Sequence, residues 1–267
     1  MKYTPRQPET NVNVTPTSPL MDFFVLSGGL LILTVTLYFL LGFAVDLIIP
    51  HISLETEKKM AITFGNLTKT KTDFPEKYRK LQALLDTIQR DCAKLPYDFK
   101  IHIKKADTLN ALAMPGGHII VFTGLLDKVK SENELAYIIG HEIGHYANRD
   151  HLRGLGRLLV FMTISAALFG TDSSIGNIVG HGLSITEMSF SRKQETKADE
   201  FGLAMLNCTY GHVGGATDFF FRISKEKDPS IFGHYFSSHP ENQGRISHIN
   251  RLINDQGLKK EKLKAPL

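Results

Sequence analysis

The sequence predicts an α+β fold, a helix-rich domain with one small β-sheet preceded by a single transmembrane helix. Three observations carry this expectation. A 23-residue run near the N-terminus holds no charge, short segments near the middle alternate apolar with polar residues, and most of the remainder repeats apolar residues at helical spacing. The chain has 267 residues, with 42% hydrophobic and 22% charged, which suits one sizeable domain and excludes wholesale disorder.

Residues 1–22 are polar, carry Pro5, Pro8, Pro16 and Pro19, and show no apolar periodicity, so they read as a flexible tail. From Phe23 to Val45 Leu, Ile, Val and Phe dominate. At about 1.5 Å per residue this run makes a helix of about 34 Å, close to the ~30 Å of a hydrocarbon core. A cleaved signal sequence would have a shorter apolar stretch close behind a basic start, whereas a long neutral tail precedes this one. Residues 23–49 are therefore expected to be a permanent anchor. Lys2 and Arg6 on one flank and Lys58, Lys59 and Lys69 on the other give no orientation.

Residues 50–257 form the expected soluble domain. Pro75 opens a helix in which Tyr78, Leu81, Leu85, Ile88, Cys92 and Leu95 recur on one face. Phe99, Ile101 and Ile103 alternate with Lys100, His102 and Lys104, the pattern of a half-buried strand. Pro115-Gly116-Gly117 then turns the chain between the stretch around Asn110–Met114 and a second strand, His118–Thr123. Helices follow to the end. Much of the net charge of +4 sits in a terminal run, Lys259, Lys260, Lys262 and Lys264, so residues 258–267 read as a solvated basic tail and nucleic acid is not an expected partner. The two cysteines, Cys92 and Cys208, exclude a disulfide-rich scaffold and a thiolate zinc cluster. An oxidising compartment would allow them to pair, but two separate buried thiols are the expectation.

The chemistry concentrates in His141-Glu142-Ile143-Gly144-His145. Ser131 with Glu134 makes a capping box upstream, and Leu135, Ile138 and Ile139 supply a buried face, so the run belongs inside a helix starting near 132. Residues four apart stand one above the other on a helix, and both imidazoles can reach one metal ion. Glu142 is placed to reach a metal-associated water without ligating the metal. With 11 histidines in the chain, chance placement yields such a run on the order of once in fifty chains, so the motif is strong but incomplete. A catalytic zinc takes three protein ligands and keeps one position open. The next candidates follow Ser191, which with Gln194 makes another capping box. Glu195 and Asp199 then share a helix face with Ala198 and Gly202. A lone Glu on a helix is usually a solvated charge; two stacked carboxylates among small residues suit close packing better. Glu195 is the candidate third ligand, and Asp199 the candidate to hold a ligating histidine ring.

Four ordered elements carry a resemblance: Asn-Ala-Leu-Ala-Met-Pro-Gly-Gly at 110–117, His-Glu-Ile-Gly-His at 141–145, Ser-Arg-x-x-Glu-x-x-Ala-Asp at 191–199, and Ser-His-Pro at 238–240 followed by Arg245-Ile246. Over roughly residues 70–250 the chain resembles the membrane-associated gluzincin peptidases that include HtpX and the type I CAAX prenyl protease. The resemblance implies a zincin-type metallopeptidase domain holding one Zn2+ per chain, with Glu195 as third ligand and Asp199 in support. It implies that Asn110 and Ala111 lie on a strand that binds substrate backbone by strand addition. It also implies that His239 steadies the tetrahedral intermediate and that Arg245 is tied to the same site. Read without the resemblance, His239 is a loop residue and Arg245 a surface charge. No motif residue departs from the pattern.

The implied activity is endopeptidase cleavage of membrane-associated or misfolded envelope proteins by a single-pass protein of the bacterial inner membrane. Glu142 would take a proton from water and return it to the departing amine. The rival readings are a non-catalytic zinc-binding adaptor on the same fold and a zinc-free scaffold with structural histidines. The absence of a clear multi-span pattern points away from the prenyl protease branch. A second apolar stretch, Leu155–Phe169, spans only about 22 Å, short for a crossing. His145 and Glu195 must also meet on one side of the membrane, so 155–169 is expected to be a buried helix, or failing that an interface-lying one.

Overall fold

The computed structural model describes residues 18–63, 74–170, 190–225, 239 and 243–267. Most of the expected N-terminal tail, the polar stretch after Phe169 and the neighbours of His239 in Ser-His-Pro lie outside these residues. The elements run α1 (Pro19–Ile48), α2 (Leu54–Thr63), α3 (Pro75–Ile88), β1 (Lys100–Lys104), β2 (Ala111–Met114), β3 (His118–Phe122), α4 (Thr123–Lys128), α5 (Glu132–Ala147), α6 (Asp150–Phe169), α7 (Arg192–Tyr210), α8 (Asp218–Ile223) and α9 (Gln243–Asp255). This is the α+β architecture that the sequence predicts, with a single three-stranded sheet among the described residues.

The apolar run begins its helix at Pro19, whose missing N–H costs nothing in a first turn, and Pro50 ends it in a short 3-10 turn, Ile49–His51. The sheet has the order β1-β3-β2, with β1 parallel and β2 antiparallel to β3. The expected turn joins β2 to β3, with Gly116 at φ +84° and Gly117 at φ +89°. A Cβ on Gly117 would come within 2.8 Å of the Asp98 carbonyl, so only glycine fits there. One face of the sheet, with Ile101, Ile103, Ala111, Ala113, Ile119 and Val121, joins the main core under α3, α5 and α7. The other, with Leu112, Met114, Ile120 and Phe122, packs on Leu155 of α6 and Met60 of α2.

Helix α5 is the centre of the domain, buried from Asn133 to Tyr146. Ser131 caps it by accepting from Glu134 N (3.1 Å). The reciprocal half of the expected box is displaced by one residue, because Glu134 Oε2 accepts from Lys130 N and pairs with Arg222. Helix α7 has the full box at Ser191 and Gln194. The two helices meet through small residues. A Cβ on Gly144 would stand 2.9 Å from Ala198 Cα, and one on Gly202 would stand 3.1 Å from His141 N.

Helix α2 is attached by Glu57, which is fully buried and accepts from Tyr97 OH (2.9 Å), His151 Nε2 (2.9 Å) and Gly116 N (3.0 Å). Burial raises its pKa, but the His151 bond and charge outweigh that and hold it below the usual glutamate value. Arg149, in the left-handed region at φ 56°, turns α5 into α6 and donates to the carbonyls of Ile49 and Ile52 beneath α1.

Three expectations change. Cys92 and Cys208 form a disulfide, because the turn after α3 lies against α7 with the two Cα atoms 5.9 Å apart. Sequence alone does not bring together two residues separated by 116 positions. Helix α6 is not buried along its apolar length: from Leu158 onward most of its side chains are exposed or half-buried, and it lies beside α1 instead of inside the domain. The terminal lysines are exposed as expected, yet the backbone there is docked. Val213 N donates to Lys259 O (2.8 Å), Lys264 N donates to Asn133 Oδ1 (2.9 Å), and Leu267 packs on the core.

Two outcomes follow from this packing. Replacing Gly144 by Ala should destabilise the domain by about 1–3 kcal/mol through overpacking against α7, more than the ~1 kcal/mol gained in helix propensity; thermal unfolding measures it. Removing the disulfide with Cys92→Ser and Cys208→Ser should lower stability by about 2–5 kcal/mol, since a long loop is released, as read by chemical denaturation of both proteins.

Candidate metal centre

Four buried side chains bring metal-binding atoms within 4.8 Å of one another: His141, His145, Glu195 and His239. The first two lie one turn apart on α5, Glu195 stands in the first turn of α7, and His239 precedes α9. His141 Nε2 and His145 Nε2 are 3.1 Å apart. Each is 3.5 Å from a Glu195 carboxylate oxygen. His239 Nδ1 lies 3.1 Å from Glu195 Oε1 and 3.3 Å from His141 Nε2.

The tautomers follow from the outer partners. His141 Nδ1 faces Asp199 Oδ1 at 3.0 Å, and His145 Nδ1 faces Asp150 Oδ2 at 3.2 Å. A carboxylate only accepts, so each Nδ1 carries the proton and each Nε2 presents a lone pair to the same point. Asp199 is fixed in turn by Arg245, which donates from Nε (2.7 Å) and Nη2 (2.6 Å), and by Tyr137 OH (3.0 Å). The third guanidinium nitrogen, Nη1, is 2.6 Å from Glu195 Oε2. Asp150 accepts from Gln194 Nε2 (2.8 Å), while Gln194 Oε1 accepts from Ser191 N (2.9 Å). One amide therefore caps α7 and holds the carboxylate that orients His145. Phe190 stacks on the His145 ring with centroids 3.9 Å apart.

The electrostatics call for a cation. Glu142, Asp150, Glu195 and Asp199 are all buried; Arg245 pairs with Glu195 and Asp199, and the half-buried Arg153 reaches Asp150 Oδ1 (3.4 Å). Burial raises the Asp199 pKa, but Arg245 and then His141 outweigh it and hold the carboxyl at about 2. Burial likewise opposes ionisation of Glu195, and His239, His145 and His141 together pull it well below the usual range. On His141 burial dominates and the pKa falls; on His145 the bonds to Asp150 and Glu195 outweigh burial and lift it to about 10. The site thus favours positive charge. Two imidazole lone pairs, a carboxylate and this surplus of negative charge fit a divalent metal ion.

The sequence-predicted residues converge. His141, His145, Glu195, Asp199, His239 and Arg245 form one cluster. Glu142 Oε1 lies 3.6 Å from His239 Nε2, and Glu142 Oε2 is buried without a hydrogen-bond partner among the described residues. Asn110 and Ala111 are themselves buried, and among the described residues β2 pairs only with β3 and packs against α5. Asp150, Gln194, Tyr137 and Phe190 were not foreseen. Asp150 is five residues from His145, a spacing that a continuous helix would send to another face, and only the left-handed joint at Arg149 returns it. Tyr137, four residues before His141, carried a legible helical spacing.

A family model for peptidase family M48 matches residues 75–253, which include every member of this cluster. The chain belongs to peptidase family M48. Among its relatives, the metalloprotease LoiP of Escherichia coli (strain K12) is 27% identical over 189 residues, covering 68% of this chain and 72% of its own length. The metalloprotease YcaL of the same organism is 26% identical over 206 residues, covering 71% and 74%. The mitochondrial metalloendopeptidase OMA1 of Bos taurus is 31% identical over 170 residues, covering 57% of this chain and 32% of the bovine protein. The chain thus spans about a third of that M48 relative's length.

Asp150→Ala should leave the fold intact and weaken metal binding by about 10–100-fold, because the His145 ring loses its orienting acceptor. Competition against a chromophoric chelator measures it, with circular dichroism as the check on folding.

Proposed function

We propose that this M48 protein is a zinc-dependent metalloendopeptidase, anchored in a membrane by α1, that cleaves membrane-associated or misfolded proteins. The observation that carries this reading is the meeting of His141 Nε2, His145 Nε2 and Glu195 beside the buried carboxylate of Glu142. Two imidazoles and one carboxylate are a donor set that suits zinc, and a single ion would be held by His141, His145 and Glu195. When bound, zinc supplies Lewis acidity toward a peptide carbonyl and lowers the pKa of water to about 7.

The remaining chemistry belongs to the chain. Glu142 accepts the proton of the attacking water and delivers it to the departing amine. His239, whose Nε2 faces Glu142 at 3.6 Å, donates to the oxyanion of the tetrahedral intermediate. Arg245 and Asp199 position the Glu195 and His141 side chains and do not meet substrate. The outer edge of β2, at Asn110 and Ala111, receives an extended substrate segment as an added strand, so recognition falls on backbone and tolerates many side chains. That suits unfolded clients.

The disulfide bears on the compartment. Such bonds persist in oxidising surroundings, which favours the catalytic domain on the non-cytosolic face of its membrane. The periplasmic face of a bacterial inner membrane is one such place. A non-catalytic adaptor on the same fold is the second reading; Glu142, held within the cluster, favours the enzyme.

Wild-type protein should carry one zinc ion and degrade an unfolded model protein. Glu142→Gln should keep the zinc and the unfolding temperature and lose cleavage by at least about 10²–10⁴-fold. Cleavage near the wild-type rate in that variant removes Glu142 from the mechanism. Client binding without cleavage in both proteins establishes the adaptor.

A further inference from the structure

Helices α1 and α6 share a boundary between charge and apolar surface. Asp46, near the end of α1, pairs with Arg157 Nη2 (2.8 Å) and Arg153 Nε (3.5 Å). At the same level Val45 lies so close to Gly156 that a Cβ there would come within 2.6 Å of Val45 Cγ1. Past that level neither helix carries a charge, over Phe23–Val45 on α1 and Leu158–Phe169 on α6. The two stay side by side and enclose a groove of about 670 Å³ between Leu31, Val35 and Phe39 on one wall and Phe161, Ile164 and Leu168 on the other. The outward faces are exposed, with Leu159 at 51%, Met162 at 41% and Phe169 at 49%. A contiguous apolar surface of this size is not left to water.

We propose that α6 is embedded in the bilayer beside α1, entering from the side that holds the catalytic domain and stopping short of the far surface, with lipid acyl chains covering its exposed face. The reading rests on α1 being the membrane anchor. Two features select lipid over a second copy or a client. The uncovered face of α6 continues the uncovered face of α1, whose 23 uncharged residues match the thickness of a hydrocarbon core. The charges on both helices also stop at one level, so Asp46, Arg153 and Arg157 fall together in the headgroup layer, where arginine and carboxylate pair at little cost. The twelve residues Leu158–Phe169 reach about 18 Å at 1.5 Å each, which is deep but not across. His145 and Glu195 remain on one side. The catalytic helix α5, joined to α6 at Arg149, is thereby fixed close to the membrane surface.

The chain has no tryptophan, so single tryptophans report position directly. Leu159→Trp, Phe169→Trp, Phe39→Trp on α1 and Phe221→Trp on α8 would each be placed in the full-length protein. Each variant is reconstituted in phosphatidylcholine vesicles brominated near the headgroup or near the acyl-chain end. The expected result is blue-shifted emission from Phe169→Trp with greatest loss of fluorescence to deep bromines, and from Leu159→Trp with greatest loss to shallow ones. Phe39→Trp should be quenched and Phe221→Trp should not. If Phe39→Trp is quenched while both α6 probes are not, a protein partner covers α6 and the proposal fails. Quenching of both α6 probes by shallow bromines alone puts α6 along the interface and also overturns it. An unquenched Phe39→Trp overturns the anchor itself, and this proposal with it.

Discussion

Gly144 on α5 faces Ala198 on α7, and Gly202 on α7 faces the backbone of His141, so the two helices meet with almost no side chain between them. Most of the site follows from that approach. A glutamate side chain is short, and Glu195 can reach both His141 and His145 only if its backbone comes this near. The same contact brings Asp199, one turn further along α7, to the far nitrogen of His141. Close packing here is a condition on the site's geometry as much as on stability, because a shift of a few tenths of an ångström in α7 moves Glu195 and the Asp199 support of His141 together.

Around this contact the polar groups form two arms that reach the imidazoles from different parts of the chain. One runs from Ser191 through Gln194 and Asp150 to His145. The other runs from Arg245 through Asp199 to His141, with Tyr137 joining it. Each ends on an Nδ1 and leaves the corresponding Nε2 turned toward Glu195. With Glu195 and Glu142 beside them, the arms leave a surplus of negative charge in a buried region, which a divalent cation would offset.

Much of this was legible in the sequence where the signal is local. His141, Glu142 and His145 announce themselves by helical spacing, Ser191 and Gln194 by the capping box, and Gly116 and Gly117 by the turn they form. Glu195 was reachable from residue chemistry, whereas His239 and Arg245 needed the family resemblance because nothing adjacent marks them. What stayed hidden depends on tertiary geometry. Asp150 reaches His145 through a left-handed residue at Arg149, and Cys92 meets Cys208 across most of the domain. Apolar character alone also does not say whether α6 is buried in the domain or lies beside α1 with an exposed face; that required seeing where Asp46 stands relative to Arg157.

The carboxylate of Glu57 bears on where the folded unit begins. It lies between α1 and the matched family region, which starts at residue 75. Yet Gly116 of the β2–β3 turn, Tyr97 and His151 of α6 all donate to it from inside the domain. A fragment starting at Pro75 would retain every residue of the metal cluster and take the acceptor from two buried donors, Tyr97 and His151, each at a cost of about 1–3 kcal/mol, and from the half-buried Gly116 N–H. The β2–β3 hairpin would lose its tether in the same stroke. The structural boundary therefore lies upstream of α2, and the short helix after α1 is a working part of the domain instead of a linker to it.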